Sequence, residues 1–195
     1  MPFIRTIPPA EAHGAAREMY DQIEAQLGHV PNWAHPFSLR PGVRDGWIAL
    51  LKSVQANLPI RTYELATLAA ARALRSSYCS LAHGSVLAQK VFDVPTVTAI
   101  ATGGDAVLEA KERAMMAFAE KVAVSADRIT VTDVDALKAH GYTDQDVFDI
   151  AAAAAARCFF SKLLDALGVQ PDASFHDADP AFREAMTVGR PVAER

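Results

Sequence analysis

Glu64-Leu65-Ala66-Thr67-Leu68-Ala69-Ala70-Ala71-Arg72-Ala73-Leu74, then Arg75-Ser76-Ser77, then Tyr78-Cys79-Ser80-Leu81-Ala82-His83: two helix-forming runs flank a polar break. In the first run Leu65, Leu68, Ala69 and Ala73 recur at helical spacing, and Pro59 sits near its start. The break ends that helix and offers an N-cap serine to the next, which the pattern carries from Tyr78 to about Val91. The pair is read as antiparallel, with Cys79 in the first turn of the second helix. Positions i and i+4 lie one above the other, so Cys79 and His83 share a face.

Outward from this pair the chain reads as helices, with no convincing strand. Pro8 and Pro9 open a periodic stretch through Met19, Ile23 and Leu27, and Gly28 stops it. From His29 to Arg44 the prolines and aromatics Pro31, Trp33, Pro36, Phe37 and Pro41 describe a packed segment that covers something. A helix over Val43 to Gln55 follows. Pro95 starts a short helix, Gly103-Gly104-Asp105 forms a turn with a capping aspartate, and Met115, Met116, Phe118 and Ala119 mark a buried stripe running to about Val124. Thr132 with Asp135 and Thr143 with Asp146 are capping-box signatures, the second opening an alanine-rich helix that ends at Leu167-Gly168. The polar tail from Asp172, with one short helix at Ala181 to Met186, reads as an arm that needs a partner surface or stays mobile. The expected organisation is one domain, with a covering segment over 1–58, a core over 59–168 and an arm over 169–195.

Composition agrees with close-packed helices: 195 residues, 51% hydrophobic, only 8% aromatic. The expected fold class is all-α. A net charge of −4 leaves no basic footprint for nucleic acid or an anionic membrane surface. Met1-Pro2-Phe3-Ile4-Arg5 lacks the apolar core of a signal peptide, and the longest apolar run, Ile150 to Ala156 between Asp149 and Arg157, is too short to span a bilayer. A cytoplasmic protein acting on small molecules is expected. Its two cysteines, Cys79 and Cys158, make no disulfide framework.

A thiol beside a base is a potential nucleophile. The start of a helix places Cys79 at the positive end of the macrodipole, and His83 can take its proton. Glu64, on the preceding helix, can orient that imidazole, giving a Glu-His-Cys relay. The same residues also allow plainer roles: Cys79 as a small buried hydrophobe and Glu64 as a solvated helix charge. Cys158, Met115 and Met116 read as core. Cys79, His83 and Glu64 could supply three zinc ligands with an open position, but no fourth ligand stands out and no metal or cofactor is expected.

The stretch from Glu64 to His83 resembles the active-site helix pair of the alkylhydroperoxidase D (AhpD) and carboxymuconolactone decarboxylase superfamily, most closely its peroxidase-related branch. The family pattern is a glutamate, a Cys-x-x-Cys twelve positions on, and a histidine four after the second cysteine. Glu64, Cys79 and His83 hold three of those places, and Tyr78 matches the peroxidase-related branch. Agreement extends to Val30-Pro31-Asn32-Trp33, Leu39-Arg40-Pro41 and Leu163-Leu164-Asp165-Ala166-Leu167-Gly168. The resemblance implies a multihelical AhpD-like bundle associating as dimers, trimers or hexamers.

Ser76 stands where that family has its first cysteine, and Ala82 where many members carry a second histidine. A cycle closed by an intramolecular disulfide cannot run through Ser76. The expected function is a one-cysteine, hydroperoxide-reducing thiol oxidoreductase: Cys79 as nucleophile, His83 as base, Glu64 as relay, Tyr78 and Ser76 as secondary site residues, and an external thiol as reductant. The alternatives are a decarboxylase-like lyase using acid-base chemistry, with Arg61, Arg72 or Arg75 receiving a substrate carboxylate, and a non-catalytic relative that only binds ligands.

Overall fold

A computed structural model describes residues 2–104 and 106–195. Regular structure among them is helical throughout. In chain order the helices are α1 (Gly14–Leu27), α2 (Ala34–Phe37), α3 (Pro41–Gln55), α4 (Ile60–Ala73), α5 (Ser77–Lys90), α6 (Val94–Ala101), α7 (Ala110–Ser125), α8 (Val131–Ala139), α9 (Asp144–Ala166) and α10 (Pro180–Met186). No described helix is long and apolar enough to cross a membrane.

Helix α4 is the central element. Every residue from Tyr63 to Ala71 is buried, so this stretch of the helix has no solvent face, and α5, α7 and α9 pack around it. Alanines at 66, 69, 70 and 71 keep its girth small and let those neighbours approach closely. Leu65, Leu68, Leu81, Met115 and Ile150 join the four helices in one apolar cluster. A second cluster lies where α1, α2 and α3 cover the C-terminal half of α9, built from Met19, Ile23, Phe37, Trp47, Phe160 and Leu164. Tyr78 and Cys79, from the first turn of α5, belong to this second cluster. The covering segment expected between His29 and Arg44 therefore covers the start of α5.

The α4–α5 turn is a Schellman motif. Ser76 N donates to Ala71 O at 2.9 Å and Arg75 N to Arg72 O at 2.9 Å, with Arg75 in the left-handed region at φ 58°. Arginine in place of the usual glycine there costs roughly 1 kcal/mol. Ser76 does take the N-cap position of α5, but its hydroxyl makes no capping bond.

Several sequence expectations shift. Pro9 belongs to a separate 3-10 turn, Pro9–Glu11, and α1 begins only at Gly14. The capping box of α8 is Thr130 with Asp133, not Thr132 with Asp135; two overlapping Thr-x-x-Asp patterns compete, and the earlier one wins because the chain is already helical at Val131. Asp105 lies outside the described residues, and α7 is capped by Glu109 with Glu112. The tail finds its partner surface on its own chain. Phe182 and Met186 of α10 are buried against α5 and α6, and Arg72 clamps the helix by donating to Ala185 O at 2.6 Å and Ala101 O at 2.5 Å. Beyond it, Gly189 N donates to Ser77 Oγ at 2.8 Å, and a side chain on Gly189 would run into the Arg75 carbonyl. The segment from Trp33 to Phe37 is packed within the chain: Ala34 and Phe37 are buried and Phe37 stacks on Phe160.

Candidate active site

At the seam between the two apolar clusters lies a cavity of about 220 Å³. From α5 come Tyr78, Cys79, Ala82 and His83; from α4, Tyr63; from α3, Trp47, Ile48, Leu51 and Gln55; from α9, Arg157 and Phe160; Trp33 closes one side. The i, i+4 spacing presents Cys79 and His83 to this space together, whereas Ser80 and Gly84, one step round the helix, meet Met186 of α10.

Glu64 sits one turn from Thr67 on α4 and accepts from His83 Nδ1 at 2.6 Å, the two side chains being 7% and 13% exposed. The Thr67 hydroxyl already donates to Tyr63 O at 2.8 Å and lies 3.3 Å from the same Nδ1. These partners assign the imidazole proton to Nδ1 and leave Nε2 as the free acceptor. Burial, helped by the charge of Arg157, holds the His83 pKa below its ordinary value against the opposing pull of Glu64. The imidazole is therefore neutral near pH 7, the form that can take a proton.

Cys79 is 1% exposed, and the polar group on its sulfur is Arg157, whose Nη1 donates to Sγ at 3.5 Å. No hydrogen bond joins Cys79 to His83 among the described residues; they share the cavity without direct contact of that kind. Arg157 is itself 4% exposed, and its guanidinium lies 5.6 Å from the ring centre of Trp47 and 5.7 Å from that of Phe160. Burial disfavours its charge, yet the facing Cys79 and Tyr63 hold its pKa above the ordinary value.

Tyr78 works on the wall of the cavity. Its hydroxyl donates to Asp172 Oδ2 and accepts from Trp33 N at 3.4 Å, while Asp172 Oδ1 accepts from Asn32 N at 2.7 Å. Burial and the neighbouring Asp172 both push its pKa up, so the phenol keeps its proton. This set of bonds ties the Val30-Pro31-Asn32-Trp33 segment and the start of the tail to α5. Ser76 Oγ, fully buried, has no hydrogen-bond partner of normal geometry, although it lies near enough to Asp165 to favour that carboxylate.

Arg157 is the residue that sequence reasoning missed, and its signal was its position, one charge between the alanine run and the apolar Cys158-Phe159-Phe160 of α9. The cations considered for a carboxylate stand elsewhere. Arg61 pairs with Glu112 through Nε at 2.5 Å and Nη2 at 2.9 Å, Arg72 is spent on α10, and Arg75 forms the turn. None of them lines the cavity. Cys79, His83 and Glu64 do not converge as a metal-ligand set, and no group of three such residues does among the described residues.

No protein-family model matches the chain, and no curated protein sequence does. Solved structures do. The alkylhydroperoxidase AhpD core, an uncharacterized peroxidase-related protein from Ralstonia eutropha JMP134, superposes with a TM-score of 0.77 at 23% identity, covering 97% of this chain and 98% of that one. The chain has the AhpD-like fold. A second AhpD-like neighbour, an uncharacterized peroxidase-related protein from Silicibacter sp. TM1040, gives 0.67 at 20% identity over 90% of this chain and 91% of its own. The debrominase Bmp8, as a cysteine-to-alanine variant in complex with 2,3,4-tribromopyrrole, gives 0.69 at 18% identity over 94% and 95%. At these identities the likeness is one of AhpD-like architecture.

Proposed function

We propose that the protein reduces hydroperoxides through Cys79. The observation that supports this reading is the placing of one buried thiol, hydrogen-bonded by a buried guanidinium, in the same small cavity as a neutral histidine held by a carboxylate. His83 Nε2 accepts the thiol proton, directly or through one water. The Cys79 sulfur attacks the outer oxygen of the peroxide, the S–O bond forms as the O–O bond breaks, and the departing alkoxide takes the proton back as an alcohol. Sulfur loses two electrons and the peroxide gains them, leaving a sulfenic acid. Arg157 stabilises the negative charge carried first by sulfur and then by the leaving oxygen. Glu64 fixes the histidine tautomer and stabilises the imidazolium that forms in passing.

No second thiol resolves the product. Cys158 packs with the other apolar cluster, donates to Ala154 O at 3.4 Å, and has its pKa pushed up by burial. The reductant is therefore an external thiol, two of which return the sulfenic acid to thiol and water and leave as a disulfide. The test is peroxide consumption by reduced protein: one equivalent per chain without added thiol, sustained turnover with it, and neither in Cys79→Ser. Turnover that survives Cys79→Ser would move the assignment to acid-base chemistry by Glu64 and His83.

A second reading, thiol-dependent dehalogenation of an aromatic ring, is favoured by the ring-lined cavity and by the named activity of one neighbour. There the sulfur would take the halogen, the ring carbon would keep the electron pair and gain a proton, and an external thiol would release halide. Halide release from a halogenated ring, in place of peroxide consumption, distinguishes it.

A further inference from the structure

Two buried donor groups at the cavity make no hydrogen bond of normal geometry among the described residues. Arg157 gives Nη1 to Cys79, but its Nε makes no such bond, and neither does the hydroxyl of Tyr63, a residue only 3% exposed whose neighbours there are Arg157 itself and the Gln55 amide. Burial raises the Tyr63 pKa, so its hydroxyl is a donor near pH 7. A buried donor left unpaired is costly to the fold, the more so when it carries charge. A buried guanidinium ordinarily sits against a carboxylate, yet among the described residues no aspartate or glutamate lines this cavity.

The remaining wall is made of ring faces. Trp47 stacks on Phe160 with 5.3 Å between centres and 13° between planes, and Trp33 tilts against Phe160 at 5.9 Å. Ile48 and Leu51 complete it. The volume of about 220 Å³ equals that of about seven waters, which suits one substituted ring and is too small for a long acyl chain.

We propose that this cavity binds a small aromatic acid, with its ring against Trp33, Trp47 and Phe160 and its carboxylate on the unpartnered donors of Arg157 and Tyr63. The planar guanidinium fork matches a carboxylate, and the anion supplies the charge that the protein leaves out. The inference rests on the reading of this cavity as the place where Cys79 reacts; under it, the peroxide reduced is one borne by such a ring acid.

The two tryptophans of the chain, Trp33 and Trp47, both line the cavity, so intrinsic fluorescence reports its occupancy. Benzoate titrated into Cys79→Ser protein is expected to change that fluorescence saturably. Acetate, which lacks the ring, and benzyl alcohol, which lacks the charge, should each bind at least about tenfold more weakly, the equivalent of one charged hydrogen bond. Arg157→Met should lose benzoate by a similar factor and keep benzyl alcohol. Tyr63→Phe, a smaller change, should lose several-fold and covers the case in which Arg157→Met does not fold. Absence of saturable benzoate binding, or equal binding by wild type and both variants, overturns the proposal. Because the Cys79→Ser protein cannot react, that failure leaves the peroxide reading standing, and failure of Cys79 to oxidise in a protein that binds benzoate does the reverse.

Discussion

Replacing Arg157 by methionine should separate stability from reactivity. The substitution removes the N–H···S bond at 3.5 Å and, among the described residues, the one arginine or lysine on the cavity wall, and it keeps an unbranched apolar side chain of similar reach. A hydrogen bond to a charged group contributes about 1.5–3 kcal/mol. At about 1.4 kcal/mol per tenfold, the rate at which peroxide oxidises Cys79 should fall by about tenfold to about a hundredfold. The fold should not suffer in proportion. Two aromatic contacts with the guanidinium are lost, each about 0.5–2 kcal/mol, but so is the desolvation penalty of an ion that has no carboxylate partner, several kcal/mol by itself. Loss of the arginine strands no opposite charge, since Cys79 can keep its proton. Stopped-flow tryptophan fluorescence under excess peroxide gives the rate, and a urea transition gives the stability. A folded Arg157→Met protein that oxidises within twofold of wild type would refute the role assigned to the guanidinium.

Other outcomes follow from the same geometry. Because burial lowers the His83 pKa in the folded state, the unfolded chain binds that proton first as pH falls; the contribution of neutral His83 is complete above the unfolded value of about 6.5 and is lost below it. Urea midpoints near pH 7 and near pH 5.5 should therefore fall further in wild type than in His83→Gln, and equal falls would contradict the assignment. Gly189→Ala should destabilise by about 1–3 kcal/mol, since the new methyl meets the Arg75 carbonyl and the bond to Ser77 is at stake, whereas Gly84→Ala meets side-chain atoms, the flexible end of Met186 and the edge of the Phe182 ring, and gains helix propensity, so thermal melts should rank Gly189→Ala clearly below Gly84→Ala. Ser76→Cys should form a disulfide with Cys79 after one equivalent of peroxide and be restored by a dithiol, read as loss and recovery of two free thiols; a folded variant that keeps both thiols would show that position 76 does not face the sulfur.

The parts of the fold visible in the sequence were those fixed by local chemistry. Gly28 at φ 77°, Pro59 and the Thr143–Asp146 box mark helix ends because the chain itself requires a left-handed residue, a missing donor or a side-chain cap there, whereas the helix expected from Val43 starts two residues earlier at Pro41. Thr130 and Thr132 offered equivalent boxes, and only the path of the chain out of the preceding 3-10 turn selects between them. The candidate relay of Glu64, Cys79 and His83 was legible because two of its members share one helix face and the third lies on the adjoining helix. Arg157 was not: a buried cation depends on what tertiary packing brings to it, here a sulfur 78 positions away. The ring-lined wall was hidden for the same reason, its members coming from positions 33, 47, 63 and 160. The tail looked unattached because its anchors are sparse in sequence, two apolar residues and a glycine whose backbone reaches Ser77.

The central claim is that the Cys79 sulfur is the nucleophile that takes the outer oxygen of the peroxide. Reduced protein treated with one equivalent of cumene hydroperoxide in the presence of dimedone, then digested for mass spectrometry, reads this directly. The expected result is a dimedone adduct on Cys79 in most chains, little or none on Cys158, whose thiol burial disfavours ionisation, and a marked loss of the Cys79 adduct in His83→Gln. An unmodified Cys79 in folded protein, or an adduct found chiefly on Cys158, would contradict the account.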